Sequence, residues 1–318
     1  MRRFTCRCGQ QVYYENHSCA NCQRKLGFDP VSLAMRAEPE PGAGLPFCSE
    51  RTAHSRCNWL TERPGPCLSC RMSKIVPSLS KSENHARIRK LETAKRRLLY
   101  DLLRIGLPVD TSRLQFVFKE DRRTNPDVYD DHVTTGHSAG VITINAAEAD
   151  EVYREQMRQA MNEPVRTLLG HFRHESGHYY FGNVVDDHNR AAVRDLFGDE
   201  TMDYQASVNH YYADGPRANW EQDFISAYAS AHPSEDWAET WAHYLHIRAV
   251  LDVGESTGLA AGISRNDWRR EFIELVVKVN ELLRSLGQPD AYPFVITDRI
   301  AAKLELVHRV VVNAALRG

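Results

Sequence analysis

Two histidines and a glutamate in His174-Glu175-Ser176-Gly177-His178 are the residues best placed to do chemistry. Four residues apart on a helix, the two imidazoles lie one turn apart on one face. Both rings can reach one ion, and Glu175 beside the first can take a proton from water held by that ion. Leu168 and Leu169 precede the motif and Tyr179-Tyr180-Phe181 follow it, so an apolar core is expected to support it mid-helix. The chemistry this predicts is zinc-dependent hydrolysis, most readily of a peptide bond. A catalytic zinc takes three protein ligands and leaves a fourth position for water. The third is expected in Glu235-Asp236-Trp237-Ala238-Glu239. One of these two glutamates can bind the ion while the other accepts the remaining N–H of a ligand histidine. Glu235 is the preferred ligand and Glu239 the preferred acceptor. Tyr228 can donate to the oxyanion of a tetrahedral intermediate. Tyr211 and Tyr212 compete for that role, and a core position suits Tyr228 equally well. His171, His243 and His246 read as polar packing or support.

Eight cysteines form the second chemical feature, all between Cys6 and Cys70. Cys6, Cys8, Cys19 and Cys22 make one expected set, and Cys48, Cys57, Cys67 and Cys70 the other. A close pair on a tight turn presents two thiolates to a tetrahedral ion, and two pairs close a structural site. Two structural zinc ions are therefore expected, and about three in all. Gly9 after Cys8 suits the turn. Cys48 and Cys57 are widely spaced, so His54 is an alternative ligand.

These residues need elements to hold them. The expected helices span 82–105, 146–161 and a motif-bearing segment from Glu163, with Pro164 at its first position. Further helices are expected at 190–197, 201–212, 217–229, 234–252, 267–286 and 297–316. Residues 114–118 and 140–145 read as strands. The second of these is expected to have an open edge able to hold an extended peptide by strand addition. Glu38 to Pro46 is rich in Pro and Gly and reads as a loop. The cysteine break places a domain boundary near Pro77, within an extended linker over 75–80. The fold class is α+β: a small zinc-ribbon domain at 1–76, then a mostly helical domain with a small sheet at 77–318.

Charge is unevenly divided. Residues 1–105 hold 19 Lys and Arg against 9 Asp and Glu, whereas the whole chain holds 40 against 42. Basic residues Arg2, Arg3, Arg7, Arg24, Lys25, Arg71 and Lys74, with Tyr13, Tyr14 and Trp59 as stacking faces, make nucleic acid a candidate partner of the ribbon. Docking of a protein or peptide substrate is the stronger expectation. No apolar run is long enough to span a bilayer, and the first residues lack the apolar stretch of a secretory signal. A cytoplasmic protein without membrane contact is expected, in which thiols stay reduced and available to metal.

The segments Arg166–Tyr180 and Ser234–Tyr244 resemble a bacterial family of zinc-binding metallopeptidases that joins an N-terminal zinc ribbon to a zincin domain. Cys6-Arg7-Cys8-Gly9-Gln10 and Cys57-Asn58-Trp59-Leu60 resemble its ribbon signatures. The resemblance covers nearly the whole chain. A more distant similarity is to lethal-factor-type gluzincins, where a tyrosine lies seven residues before the ligand glutamate of a Glu-x-x-Ala-Glu segment. Tyr228, Glu235, Ala238 and Glu239 match that pattern, which implies Glu235 as ligand and Tyr228 as oxyanion donor. Three competing functions remain: a peptidase addressed to nucleic-acid-bound proteins by the ribbon, a non-enzymatic zinc protein, and a hydrolase of a non-peptide amide.

Overall fold

The computed structural model describes residues 1–38, 44–260 and 267–317. Most of the expected Pro- and Gly-rich loop, residues 39–43, lies outside that range. The described residues form two compact units: residues 1–104 with 108–172, and residues 105–107 with 173–318.

The first unit begins with two antiparallel hairpins, β1 (Phe4–Thr5) with β2 (Gln11–Val12) and β3 (Leu26–Asp29) with β4 (Ala34–Ala37). A short helix α1 (Leu68–Met72) and the long α2 (Ser82–Arg104) follow. Apolar positions of α2 at Ile88, Leu91, Leu98 and Leu102 are buried, as a period of three to four demands. Tyr14 and Trp59, offered above as stacking faces, are buried here. Trp59 donates from Nε1 to the Tyr14 hydroxyl at 2.8 Å, which donates to the Arg96 carbonyl of α2 at 2.9 Å. Of the three rings only Tyr13 is exposed.

A four-stranded sheet runs β5 (Ser73–Ile75), β6 (Gln115–Lys119), β8 (Val141–Asn145), β7 (Gly136–Ser138). The first three strands are parallel and β7 is antiparallel. The expected open edge at 140–145 is therefore wrong. Ala139 and Gly140 both take positive φ, 47° and 83°, the two-residue turn that folds β7 back along β8. The edge belongs to β7. The expected helix at 146–161 is broken at Asp150 into a 3-10 turn, Ala146–Ala149, and α3 (Glu151–Ala160).

The motif helix α4 runs Leu168–Val184 and starts five residues later than expected. The Thr167 hydroxyl accepts from the Gly170 amide at 2.9 Å, capping the helix there. Pro164 instead restricts Glu163 and lies outside it. Beyond come α5 (Asp187–Phe197), α6 (Tyr204–Asp214), α7 (Trp220–Asp223), α8 (Pro233–Thr257), α9 (Trp268–Ser285) and α10 (Asp298–Arg317). The expected helix at 217–229 does not form. Asn219 adopts a left-handed conformation and Phe224 is extended, leaving only α7 and a 3-10 turn at Tyr228–Ser230. In the second unit α8 is the central helix, packed against α5, α9 and α10, with Trp237, Trp241, Tyr244 and Leu245 buried. No helix among the described residues is long and apolar enough to cross a membrane.

Candidate metal centres and active site

In the ribbon the sequence brings both cysteine sets together. The Sγ atoms of Cys6, Cys8, Cys19 and Cys22 cluster, as do those of Cys48, Cys57, Cys67 and Cys70. Sulfur pairs stand 3.7 Å (Cys6 and Cys22), 3.6 Å (Cys8 and Cys19) and 3.6 Å (Cys57 and Cys67) apart. A tetrahedron with zinc–sulfur arms of about 2.3 Å has edges of about 3.8 Å, so these spacings fit an ion and are far from a disulfide. The wide Cys48–Cys57 gap closes because the Cys57 amide returns to the Glu50 carbonyl at 3.2 Å. The Cys67 amide donates to the Cys48 sulfur at 3.2 Å. His54 stays out of the set and pairs with His85, Nδ1 to Nδ1 2.7 Å. Thiol hydrogen bonds from Cys57, Cys67 and Cys70 hold Cys48 far below its ordinary pKa. Hydrogen bonding with Cys48 pushes Cys67 and Cys70 up. Four thiols packed this closely ionise together only around a cation.

In the second unit His174, Glu175 and His178 face a common point from α4. Glu235, in the first turn of α8, meets them there: one carboxylate oxygen is 3.0 Å from His174 Nε2, the other 3.5 Å from His178 Nε2. The two Nε2 atoms are 3.2 Å apart. A tetrahedral ion with arms of about 2.0–2.1 Å needs edges of about 3.3–3.4 Å, so the two imidazoles fit that geometry, with one Glu235 oxygen beside each. Glu235 Oε2 is buried without a hydrogen-bond partner, as a carboxylate oxygen prepared for a cation would be.

Glu239, one turn along α8, lies 2.6 Å from His174 Nδ1. An ionised carboxylate only accepts, so Nδ1 carries a proton, and a cation at the site would replace the proton on Nε2. Ser226 donates to the other Glu239 oxygen at 2.6 Å. Burial would push the His174 pKa down, but Glu235 and Glu239 outweigh it and raise it well above the ordinary value. Burial would raise Glu239, yet His174 holds it down at about 2. The same field favours a divalent cation.

Tyr228 sits in the 3-10 turn before α8, its ring centroid 6.1 Å from that of His174. Burial first, then the charge of Glu235, raises its pKa, so the phenol keeps its proton. Tyr211 stacks edge-on against Tyr228 at 5.6 Å, and Tyr212 against Tyr211 at 5.5 Å. His243 Nδ1 is 2.8 Å from the Tyr292 hydroxyl, and the His246 ring is 5.3 Å from that of Tyr292. Burial lowers the pKa of these imidazoles to about 4 and about 3. His171 is 3.1 Å from the buried Glu148, which also takes Arg166 at 2.6 Å.

Sequence reasoning missed several supports. Gly177 is where α4 and α8 touch: a Cβ there would stand 2.9 Å from the Ala238 Cα. Trp237 donates to the Gly177 carbonyl at 3.1 Å and Trp241 to the Ser176 hydroxyl at 3.0 Å. The i, i+4 pair of tryptophans beside the expected ligand was the available signal. Asp236 forms a buried pair with Lys303 of α10 at 2.6 Å, and Lys303 also donates to the Asp223 carbonyl at 2.6 Å. Ser226, and Tyr204, whose hydroxyl donates to Glu235 at 2.8 Å, carried no local signal.

Residues 84–310 match the family described as "Putative zinc-binding metallo-peptidase", and residues 3–81 match a zinc-ribbon domain. The chain belongs to that metallo-peptidase family. Uncharacterized proteins of Mycobacterium bovis and Mycobacterium tuberculosis are 37% identical to it over 338 aligned positions, covering 99% of this chain and 96% of theirs. No solved structure matches. The family assignment agrees with the α+β fold, the ribbon and the His174-Glu175-His178 cluster. In this member of the metallo-peptidase family, the segment between His178 and Glu235 spans α5, α6, α7 and the turn that carries Tyr228.

Proposed function

We propose that the chain is a zinc-dependent peptidase of gluzincin type. One zinc is held by His174, His178 and Glu235, and two structural zinc ions by the cysteine sets. The observation that carries the reading is the meeting of Glu235 with the two α4 imidazoles at 3.0 and 3.5 Å, with Glu239 behind His174. A bound zinc supplies Lewis acidity, which acidifies water and polarises a carbonyl. Glu175, buried on the same turn as the two histidines, takes the proton of the attacking water. It then delivers that proton to the departing amine nitrogen. Tyr228, kept protonated by its surroundings, donates to the carbonyl oxygen as that oxygen gains charge. Glu239 fixes the tautomer and orientation of His174. The substrate is a peptide or protein, a reading supported by the metallo-peptidase description of the family.

The test is Glu175→Gln, assayed with a mixed peptide library and metal analysis. The expected result is three zinc ions per chain in both proteins and a loss of hydrolysis of about 10²–10⁴-fold in the variant. Undiminished cleavage by the variant would overturn the role of Glu175, and a wild type holding only two ions would overturn the third site.

A further inference from the structure

Glu235 has two oxygens, and the protein treats them differently. Oε1 accepts a hydrogen bond of 2.8 Å from the Tyr204 hydroxyl and lies 3.5 Å from His178 Nε2. Oε2 is buried, has no hydrogen bond and faces His174 Nε2 at 3.0 Å. We propose that Tyr204 is a positioning residue that occupies Oε1 and so presents Glu235 to the ion through Oε2 alone. The inference rests on the reading of Glu235 as a zinc ligand.

Three features show that the Tyr204 hydroxyl is placed for this contact. First, the residue is 45% exposed. Ring burial is therefore not what holds it, yet its hydroxyl reaches a carboxylate that is 1% exposed. Second, the backbone around Tyr204 is fixed. Asp203 caps α6 by accepting from the Ala206 amide at 3.0 Å, so Tyr204 opens the helix with a set direction. Third, one residue ties both ends of the contact together. His232 accepts from the Ser234 amide at 3.0 Å, capping α8 one turn before Glu235. Its other nitrogen is 3.2 Å from the Met202 carbonyl, and the Tyr204 ring packs edge-on against it at 5.2 Å. The N-terminus of α6 and the first turn of α8 are thus joined through His232, and Tyr204 spans the join.

A carboxylate bound through both oxygens would raise the coordination number and occupy the space that water needs. A hydroxyl on one oxygen opposes that swing. Support of this kind behind a ligand is commonly worth 10–100-fold in metal affinity. Tyr204 acts through Glu235; its hydroxyl also interacts with that of Tyr228, so the metal readouts below, rather than activity, test its role.

The experiment compares wild type, Tyr204→Phe and Glu235→Ala, all with both ribbon zinc ions in place. Zinc affinity of the third site is measured by chelator competition, and cobalt placed in that site alone reports coordination number by its visible absorption. Tyr204→Phe is expected to weaken zinc 10–100-fold and to lower the cobalt band intensity, as four-coordinate becomes five-coordinate. Circular dichroism checks that the variant is folded. If Glu235→Ala binds the third ion as tightly as wild type, the ligand reading fails and this inference falls with it. If Glu235→Ala loses the ion while Tyr204→Phe matches wild type in both affinity and spectrum, the inference alone is overturned.

Discussion

Replacing Gly177 by Ala tests how tightly the two metal-bearing helices are joined. The added Cβ would lie 2.9 Å from the Ala238 Cα and 3.1 Å from the Cβ and Cδ1 of Trp241. Comfortable carbon–carbon contact is about 3.5–4.0 Å, so α4 and α8 must separate by roughly 0.6–1 Å at this point. The nearest atom belongs to the backbone and cannot rotate away. Over-packing of this kind costs about 1–3 kcal/mol. Parting the helices also stretches the Trp237 and Trp241 hydrogen bonds, each contributing about 1 kcal/mol. Against this, Ala gains about 1 kcal/mol over Gly in helix propensity. The net expectation is destabilisation by about 1–3 kcal/mol, or roughly 2–4 °C in Tm per kcal/mol.

Gly182 on the same helix supplies the control. A Cβ there meets nothing within 4 Å, so Gly182→Ala should stabilise by up to about 1 kcal/mol. The two substitutions are chemically identical and should differ in sign. The metal should report the same event. His174 and His178 ride on α4 and Glu235 on α8, and metal–ligand distances tolerate only about 0.2 Å. Gly177→Ala should therefore lose third-site zinc affinity by tenfold or more while the ribbon zinc stays. Thermal unfolding at fixed free zinc, with metal counted after chelation, reads both effects. A Gly177→Ala protein as stable as Gly182→Ala, with three tightly held ions, would refute the close approach.

Three further outcomes are expected. Lys303→Met leaves the Asp236 carboxylate buried without its cation, and should cost about 3–5 kcal/mol by denaturant unfolding; a loss below 1 kcal/mol would mean the pair is dispensable. Burial would raise the pKa of Glu148, but His171 and Arg166 outweigh it and hold it at about 2, below the ordinary 4.5. Its stabilisation is thus fully present above about pH 4.5 and lost as pH falls toward 2, up to about 3 kcal/mol. Glu148→Gln should flatten the stability profile between those values, and an unchanged acid limb would contradict the assignment. In the ribbon, Cys57→Ser removes a fully buried sulfur and should release one zinc and loosen the Tyr14–Trp59 core. Cys8→Ser, at an exposed sulfur, should release one zinc with less effect on stability; metal analysis with near-ultraviolet circular dichroism separates the two.

What the sequence could and could not disclose follows from the range of the interactions. The spacing of His174 and His178 has meaning within one helix, so the period alone places both rings on one face. The paired cysteines are similar, because a tight turn is a local device. Glu235 and Glu239 were reachable for the same reason: four residues on one helix share a face. Most of the failures have longer range, and the start of α4 is a local one. The 140–145 strand is a strand, but its neighbours depend on whether Ala139-Gly140 folds the chain back, and that decides which strand owns the edge. The start of α4 turned on a choice between Pro164 at the first helical position and Thr167 as a cap, and the cap prevailed. Tyr204, Ser226 and Lys303 lie 31, 13 and 67 residues from the carboxylates they hold. No periodicity links them to their partners. Those three contacts fix the first two turns of α8, which carry Glu235, Asp236 and Glu239. The groups that meet at the metal position were therefore visible from local spacing, whereas the groups that aim them emerge only when α6, the turn before α8, and α10 come together. Variants in that second group should alter metal affinity and rate by degrees, whereas loss of His174, His178 or Glu175 should abolish one or the other outright.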